Sequence, residues 1–399
     1  MKIRVCDDSE DLSAICVEKI RAVVPGADVK RMDNAIAEVS KLLKRKAAAE
    51  LDQDPPAGST EFDQVDVLVI DFDLLHLDHD GSRTTGEGVA RLARGYSDCG
   101  VVVVMNQFKV ADFDLGMRGH LESHADLNIS ADRVGERALW EELQPQEGTF
   151  DPTTWTPVPT LLAAAKRLAA NFRDGTMAAH IMPLLGLTAE ALGEISDTAF
   201  GFLSQNAETV EDLTALTVED FLKEKFDEKA LANLERHSPH YLFRFAAFRL
   251  IKWMERAVLR PMNVLIDTSH LIDRMPFIIA DERAMGDAVH WVAAAADPQR
   301  LLRWELLEKY HNAVASEVIG RDVFDWHRMI GDETFDTLQD EFIEKGAERF
   351  YLAEDTSRFV AANRLVRFRA DFHNFGDRRA IENLEHLVSY GPKRRLQFG

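Results

Sequence analysis

The chain has 399 residues, 46% of them hydrophobic, enough to build about two or three cores. Its net charge is −21, from 68 acidic against 47 basic residues, which argues against a nucleic-acid phosphate backbone as partner and fits a soluble protein. Three scattered cysteines, Cys6, Cys16 and Cys99, speak against a disulfide framework or a cysteine-type zinc site; no apolar run reaches the roughly 20 residues of a membrane helix; and residues 1–20 lack a signal-peptide pattern, so a cytoplasmic protein is expected.

In chain order, "KIRVCDD" (2–8) reads as a short strand ending in acids. "LSAICVEKIRAVV" (12–24) has helical spacing and stops at Pro25-Gly26. "ADVKRM" (27–32) alternates like a strand, and "NAIAEVSKLLKRKAAAEL" (34–51) is a helix capped by Asp33 or Asn34. A loop leads to the buried strand "VDVLVI" (65–70), then the helix "GEGVARLARGY" (86–96), the β-branched strand "GVVVVMNQ" (100–107) and a weaker fifth strand, "ADLNIS" (125–130). Strands written as continuous apolar runs, alternating with helices, predict a flavodoxin-like five-stranded parallel sheet covered on both faces, in the order 2-1-3-4-5.

Residues 141–160 change character, with four prolines and Trp155 in "LQPQEGTFDPTTWTPVPT". This stretch reads as a linker or an ordered wrap. Beyond it, segments such as "LLAAAKRLAANF" and "YLFRFAAFRLIKWMERAVL" repeat apolar residues every three to four positions. The expected organisation is an α/β domain over 1–140, a Pro/Trp-rich linker over 141–160 and a mainly α-helical domain over 161–399, with room for two subdomains. Residues 357–373 suit either helix or strands, and a mixed end segment is expected.

Chemistry concentrates at the strand ends. Asp7 and Asp8 close the first strand, Asp71 closes the third, and Asp73 follows two positions later. With strands 1 and 3 adjacent, Asp7, Asp8 and Asp71 meet at one sheet edge, Asp73 completes the expected acidic pocket, and crowded carboxylates call for a divalent cation such as Mg2+, held by Asp8 and Asp71. The loop "HLDHD" (76–80) holds metal-ligating residue types but reads better as solvated. Asp71 and Asp73 also form an Asp-x-Asp pair after an apolar strand, similar to the first motif of haloacid-dehalogenase-type phosphatases, with Asp71 as nucleophile and Asp73 as acid/base; Leu75 and the third-strand position depart from it.

"IRVCDDSED", "VDVLVID" and "GEGVARLAR" together resemble the receiver domain of bacterial response regulators over about the first third of the chain. The resemblance implies Asp71 as phospho-acceptor. It also implies a hydroxyl residue at the end of strand 4, where Met105 or Asn106 stands, and a lysine at the end of strand 5, where Ser130 and Ala131 stand. Lys109 follows the wrong strand. Without the lysine, a phosphoryl group loses a charge-assisted contact. The domain therefore reads as a degenerate receiver, or pseudo-receiver.

The helical part mixes aromatics with arginines in "HYLFRFAAFRLIKWMERAVLRP", "FDWHRM" and "RFRADFHNFGDRR", as a protein interface or as a core with snorkelling arginines. In "NVLIDTSHLIDRMP" (263–276), Asp267, His270, Asp273 and Arg274 fall at helical spacing, which suits a structural hydrogen bond. Taken with "FDPTTWTPVP" (150–159), the whole chain also resembles inactive-receiver proteins of bacterial NTP-dependent conflict (anti-phage) systems. That implies a non-catalytic signalling adaptor acting on a protein partner, an ATPase or effector. In the alternative, a phosphorylated regulator, the partner is a histidine kinase. No nucleic acid and no membrane is expected.

Overall fold

The computed structural model describes residues 1–74, 85–106, 117–141, 155–281, 286–336, 338, 349–367 and 379–382. Five parallel strands form the first sheet: β1 (Lys2–Cys6), β2 (Asp28–Arg31), β3 (Val65–Asp71), β4 (Cys99–Asn106) and β5 (Leu127–Ser130). Their order is β2-β1-β3-β4-β5, as expected from the alternation of strands and helices. Helices α1 (Glu10–Val23), α2 (Ala35–Glu50) and α3 (Gly86–Tyr96) connect them. Each opens on a side-chain cap: Ser9 accepts from the Leu12 N–H, Asn34 from Ala37 and Thr85 from Gly88, so Asn34 and not Asp33 caps α2.

Side chains alternate across the sheet. Val5, Val67, Val69, Val101 and Val103 meet Val17 and Ile20 of α1 on one face. Leu68, Ile70, Val102 and Val104 meet Val39 and Leu42 of α2, with Val89 and Ala93 of α3, on the other. Every residue of β4 is buried, which is why its sequence reads as an unbroken apolar run.

The sheet's α1 face is completed from far along the chain. Helix α4 (Val158–Gly175) puts Leu161 and Leu168 into the same apolar cluster as Val101. It lies so close to β4 that a Cβ at Gly100 would come within 2.8 Å of the Leu162 side chain and 2.0 Å of the Asp66 carbonyl oxygen. Helix α5 (Glu228–His237) packs on α2, and α6 (Pro239–Trp253) on α3 and α4. One apolar cluster thus runs from Ile3 to Val323. Of the Pro/Trp-rich stretch, Trp155 and Val158 belong to this core, and the Thr156 hydroxyl donates to the Ile319 carbonyl at 2.8 Å; residues 142–154 lie outside the described residues.

After α6 the chain makes a π-helical turn, Met254–Leu259. Strand β6 (Leu265–Asp267) pairs with β7 (Val323–Asp325), and helix α7 (Thr268–Arg274) follows β6 directly. A second apolar cluster gathers Ile272, Phe277, Trp291, Phe324 and Phe359. The end segment is mixed where it is described: strands β8 (Phe350–Ala353), β9 (Arg358–Ala361), β10 (Val366–Arg367) and β11 (Ala380–Ile381), ordered β10-β11-β8-β9, with a 3-10 turn at Ala362–Arg364. Among the described residues, no helix is long and apolar enough to cross a membrane.

Candidate functional site

The acids gather at the carboxyl ends of β1 and β3. Register pairs Cys6 with Ile70 and Asp71 with Met105, which brings the end of β3 between the ends of β1 and β4. Asp7, Asp8 and Asp71 each turn a carboxylate oxygen to a common point, all within 4.8 Å of one another. Asp71 is only 5% exposed. Burial and the neighbouring Asp7 charge push its pKa up to about 7, against the opposing pull of the Asp73 and Phe72 N–H groups. Burial also raises the Asp7 carboxyl, although the Ser9 N–H donates to it at 2.8 Å.

Three crowded carboxylates with repelling charges form an oxygen-only donor set, which fits a hard divalent cation such as Mg2+ better than a soft or imidazole-preferring metal. Asp73 enters differently. Its backbone N–H donates to Asp71 Oδ2 at 3.2 Å, and its carboxylate is not in the converging group. Cys6, beside the acids, is held as a neutral thiol: burial and the Asp7 charge push its pKa up to about 12. Cys16 and Cys99 are buried as well, as expected of core residues.

At the end of β4, Met105 lies opposite Asp71 and its carbonyl accepts the Phe72 N–H at 2.7 Å, while the Cys16 thiol lies 3.7 Å from its sulfur on the α1 side. Asn106 is buried and in register with Ser130, and its carbonyl accepts the Ala131 N–H at 3.0 Å. The strand-end positions beside the acidic group therefore carry an amide and a hydroxymethyl side chain. Lys109, Leu75 and the "HLDHD" loop lie outside the described residues.

The beginning of α3 is pressed against the site. The Gly86 N–H donates to the Phe72 carbonyl at 2.9 Å, and a Cβ on Gly86 would sit 2.3 Å from the Asp71 carbonyl oxygen. Thr85 pairs with Asp73 in an isolated β-bridge.

A second concentration of charge lies in the other half of the molecule. Within "NVLIDTSHLIDRMP", Asp267 caps α7 and its carboxylate accepts from His270 Nδ1 at 2.7 Å, while His270 Nε2 donates to Glu354 at 2.9 Å. Burial alone would depress the imidazole pKa, but the Asp267 and Glu354 charges outweigh it and hold it above its ordinary value. Arg379 pairs with Glu354 at 2.7 Å, and Arg321 lies 3.6 Å from Asp267 and 3.5 Å from Glu255. Glu255, in the π-helical turn, also meets Arg118 at 2.9 Å and Arg260 at 3.3 Å. Its carboxyl is held low by these arginines despite complete burial. Asp273 stands apart from this pairing. Its carboxylate accepts the Leu352 N–H at 2.8 Å, and burial raises its pKa to about 6. Arg274 lies over the Trp326 ring.

No sequence pattern points to Glu354 or Arg379 in these roles, and Glu255 shows only as a charge in an apolar run. The readable signal was Arg249, Lys252 and Glu255 at three-residue intervals in an otherwise apolar, aromatic helix, a stripe of charge with no route to solvent. In comparisons with known proteins, the chain matches no family model, no curated protein and no solved structure.

Proposed function

We propose that this chain is a non-catalytic regulatory adaptor built on a receiver-type sheet that keeps the acidic pocket and works by protein contact. The observation that carries this reading is the convergence of Asp7, Asp8 and Asp71 at one sheet edge, beside strand ends that offer Met105, Asn106 and Ser130. The acids are what a divalent cation needs. Asn106 and Ser130 are not what a phosphoryl group needs, since a phosphoryl oxygen is best held by a cationic donor.

Mg2+ would be held by Asp7, Asp8 and Asp71, and bound there it supplies charge neutralisation. The chain's own residues do the rest. Asp71 is held in place by the Asp73 N–H, and Gly86 allows α3 to start against the Asp71 backbone. The helical part covers the sheet from α4 and α6, so the partner meets a surface made by both parts of the chain. The partner class that the resemblance implies is an ATPase or effector of a bacterial defence system.

The test is incubation of the full chain with acetyl phosphate and Mg2+, read by intact mass. No covalent gain is expected. A phosphoryl gain that disappears in Asp71→Asn would overturn the adaptor reading in favour of a phosphorylated regulator. Release of phosphate from an aryl phosphate, lost in both Asp71→Asn and Asp73→Asn, would instead establish a phosphatase.

A further inference from the structure

The acidic pocket is tied to helix α6 by an unbroken series of contacts. At one end, Gly86 fixes residues 71 and 72 to the first turn of α3: its N–H bonds Phe72, and there is no space for a side chain between it and Asp71. The next residue is Glu87. Its carboxylate accepts from the Ser123 hydroxyl at 2.7 Å and from the His124 backbone N–H, in the connection that leads into β5. That connection is gripped in turn by α6. Lys252 Nζ donates to the Ser123 carbonyl at 3.0 Å and to the Ala125 carbonyl at 2.7 Å, and Arg249 donates to the same Ser123 carbonyl.

Both cations are deeply buried, Lys252 at 1% exposure and Arg249 at 3%. Their hydrogen bonds to this connection are to neutral carbonyls, and Arg249 also lies 3.6 Å from the Glu122 carboxylate. Glu87 and Asp126 supply negative charge nearby, and Asp126 is already bonded to Arg94. Burying the Lys252 ammonium against carbonyls is costly, so the Glu87 charge matters to α6. Glu87 follows Gly86 at the pocket and is bonded to the connection that α6 grips, so it is placed to respond to both.

We propose that Glu87 is a positioning residue for the acidic pocket, through which Arg249 and Lys252 of α6 set the pocket's affinity for a divalent cation. This rests on the reading of Asp7, Asp8 and Asp71 as a cation site. Coupling between sites is reciprocal, so cation binding must in turn be felt at α6.

The test uses the full chain, Mg2+ alone as probe, calorimetry for affinity and amide hydrogen exchange for residues 120–126 and 239–253. In the unsubstituted protein, Mg2+ slows exchange in both segments. Glu87→Gln keeps an acceptor for the His124 N–H, offers its amide N–H to the Ser123 hydroxyl, which can turn to accept it, and leaves Asp7, Asp8 and Asp71 in place, so a role in shape alone would largely survive the loss of charge. It is expected to weaken Mg2+ binding roughly fivefold or more and to remove the exchange response of 239–253. Ser123→Ala is expected to move both readouts the same way by less, and it decides the matter if Glu87→Gln does not fold. Unchanged affinity in both variants, or Mg2+ binding with no response in 239–253, overturns the proposal. If the unsubstituted protein takes up no Mg2+, the pocket reading and the affinity claim fall together, and the contact series is judged alone. Asp71→Asn must then alter exchange in 239–253 with Glu87 present and not with Glu87→Gln; no alteration removes the coupling as well.

Discussion

The molecule concentrates charge in two places, with opposite logic. At the sheet edge, Asp7, Asp8 and Asp71 bring like charges together, and the Asp71 pKa rises to about 7 as a result of burial and of Asp7. Around Glu255 and His270, unlike charges are interleaved, and the acids at 255 and 354 are held low by the arginines and the imidazolium around them. A matched network explains itself: each charge is the solvent of the next. A cluster of like charges does not, because folding has to overcome its repulsion, and the N–H groups of Ser9 and Asp73 offset only part of it at Asp7 and Asp71. The matched network serves structure, and the acidic group is the one whose stability depends on what neutralises it.

Removing the hub of the matched network is the most damaging substitution. Glu255→Gln leaves the buried guanidinium groups of Arg118, Arg260 and Arg321 without their shared carboxylate. A loss of about 3–5 kcal/mol is expected in urea unfolding. A loss under about 1 kcal/mol would mean that the network is not holding the helical part together.

His270→Gln comes next, at about 2–3 kcal/mol, since it removes a buried charge that bonds two carboxylates. Its sign with pH is fixed by linkage. The folded pKa of His270 lies above its ordinary value, so its contribution is fully present below about pH 6.5, the unfolded value, and is lost as pH rises through the folded value. The stability gap between the unsubstituted protein and His270→Gln, followed from pH 5.5 upward, is therefore expected to shrink; a gap that widens would reject the charged-imidazole assignment.

Gly86→Ala tests the pocket's wall, at about 1–3 kcal/mol. The added methyl would meet the Asp71 carbonyl at 2.3 Å, so the first turn of α3 must move. A melting temperature equal to the original would show that the wall yields freely.

These regions also differ in how far the chain's pattern revealed them. β1, β3 and β4 were readable because a strand buried on both faces must be apolar throughout, and the meeting of Asp7, Asp8 and Asp71 followed from the strand order alone. Asp73 was grouped with them on proximity in sequence. Its role depends on the turn after Asp71, which is set by Gly86 and Thr85 more than ten residues onward, and no local pattern encodes that. The His270–Glu354 contact spans 84 residues, and the Lys252–Ala125 contact 127. A charge in an apolar stripe announces that it needs a partner, but the partner's address lies in the tertiary fold.

The smallest expected effect bears most directly on function. If Asp7, Asp8 and Asp71 repel, neutralising one of them stabilises the protein, the reverse of every substitution above. The folded Asp71 pKa of about 7 exceeds the unfolded carboxylate value of about 3.9, so its ionisation costs stability progressively between these values and in full above about pH 7. Solvent and salt at the pocket mouth screen part of that cost, leaving a gain of about 1 kcal/mol for Asp71→Asn at pH 8 without divalent ions, and none near pH 4. Millimolar Mg2+ should reverse the order, because the cation stabilises the folded protein only where the carboxylates can bind it. Thermal melts at both pH values, with Mg2+ and with chelator, read all four cases. If Asp71→Asn is destabilising with chelator at pH 8, the carboxylates are compensated from within the protein, and the two charge clusters are of one kind.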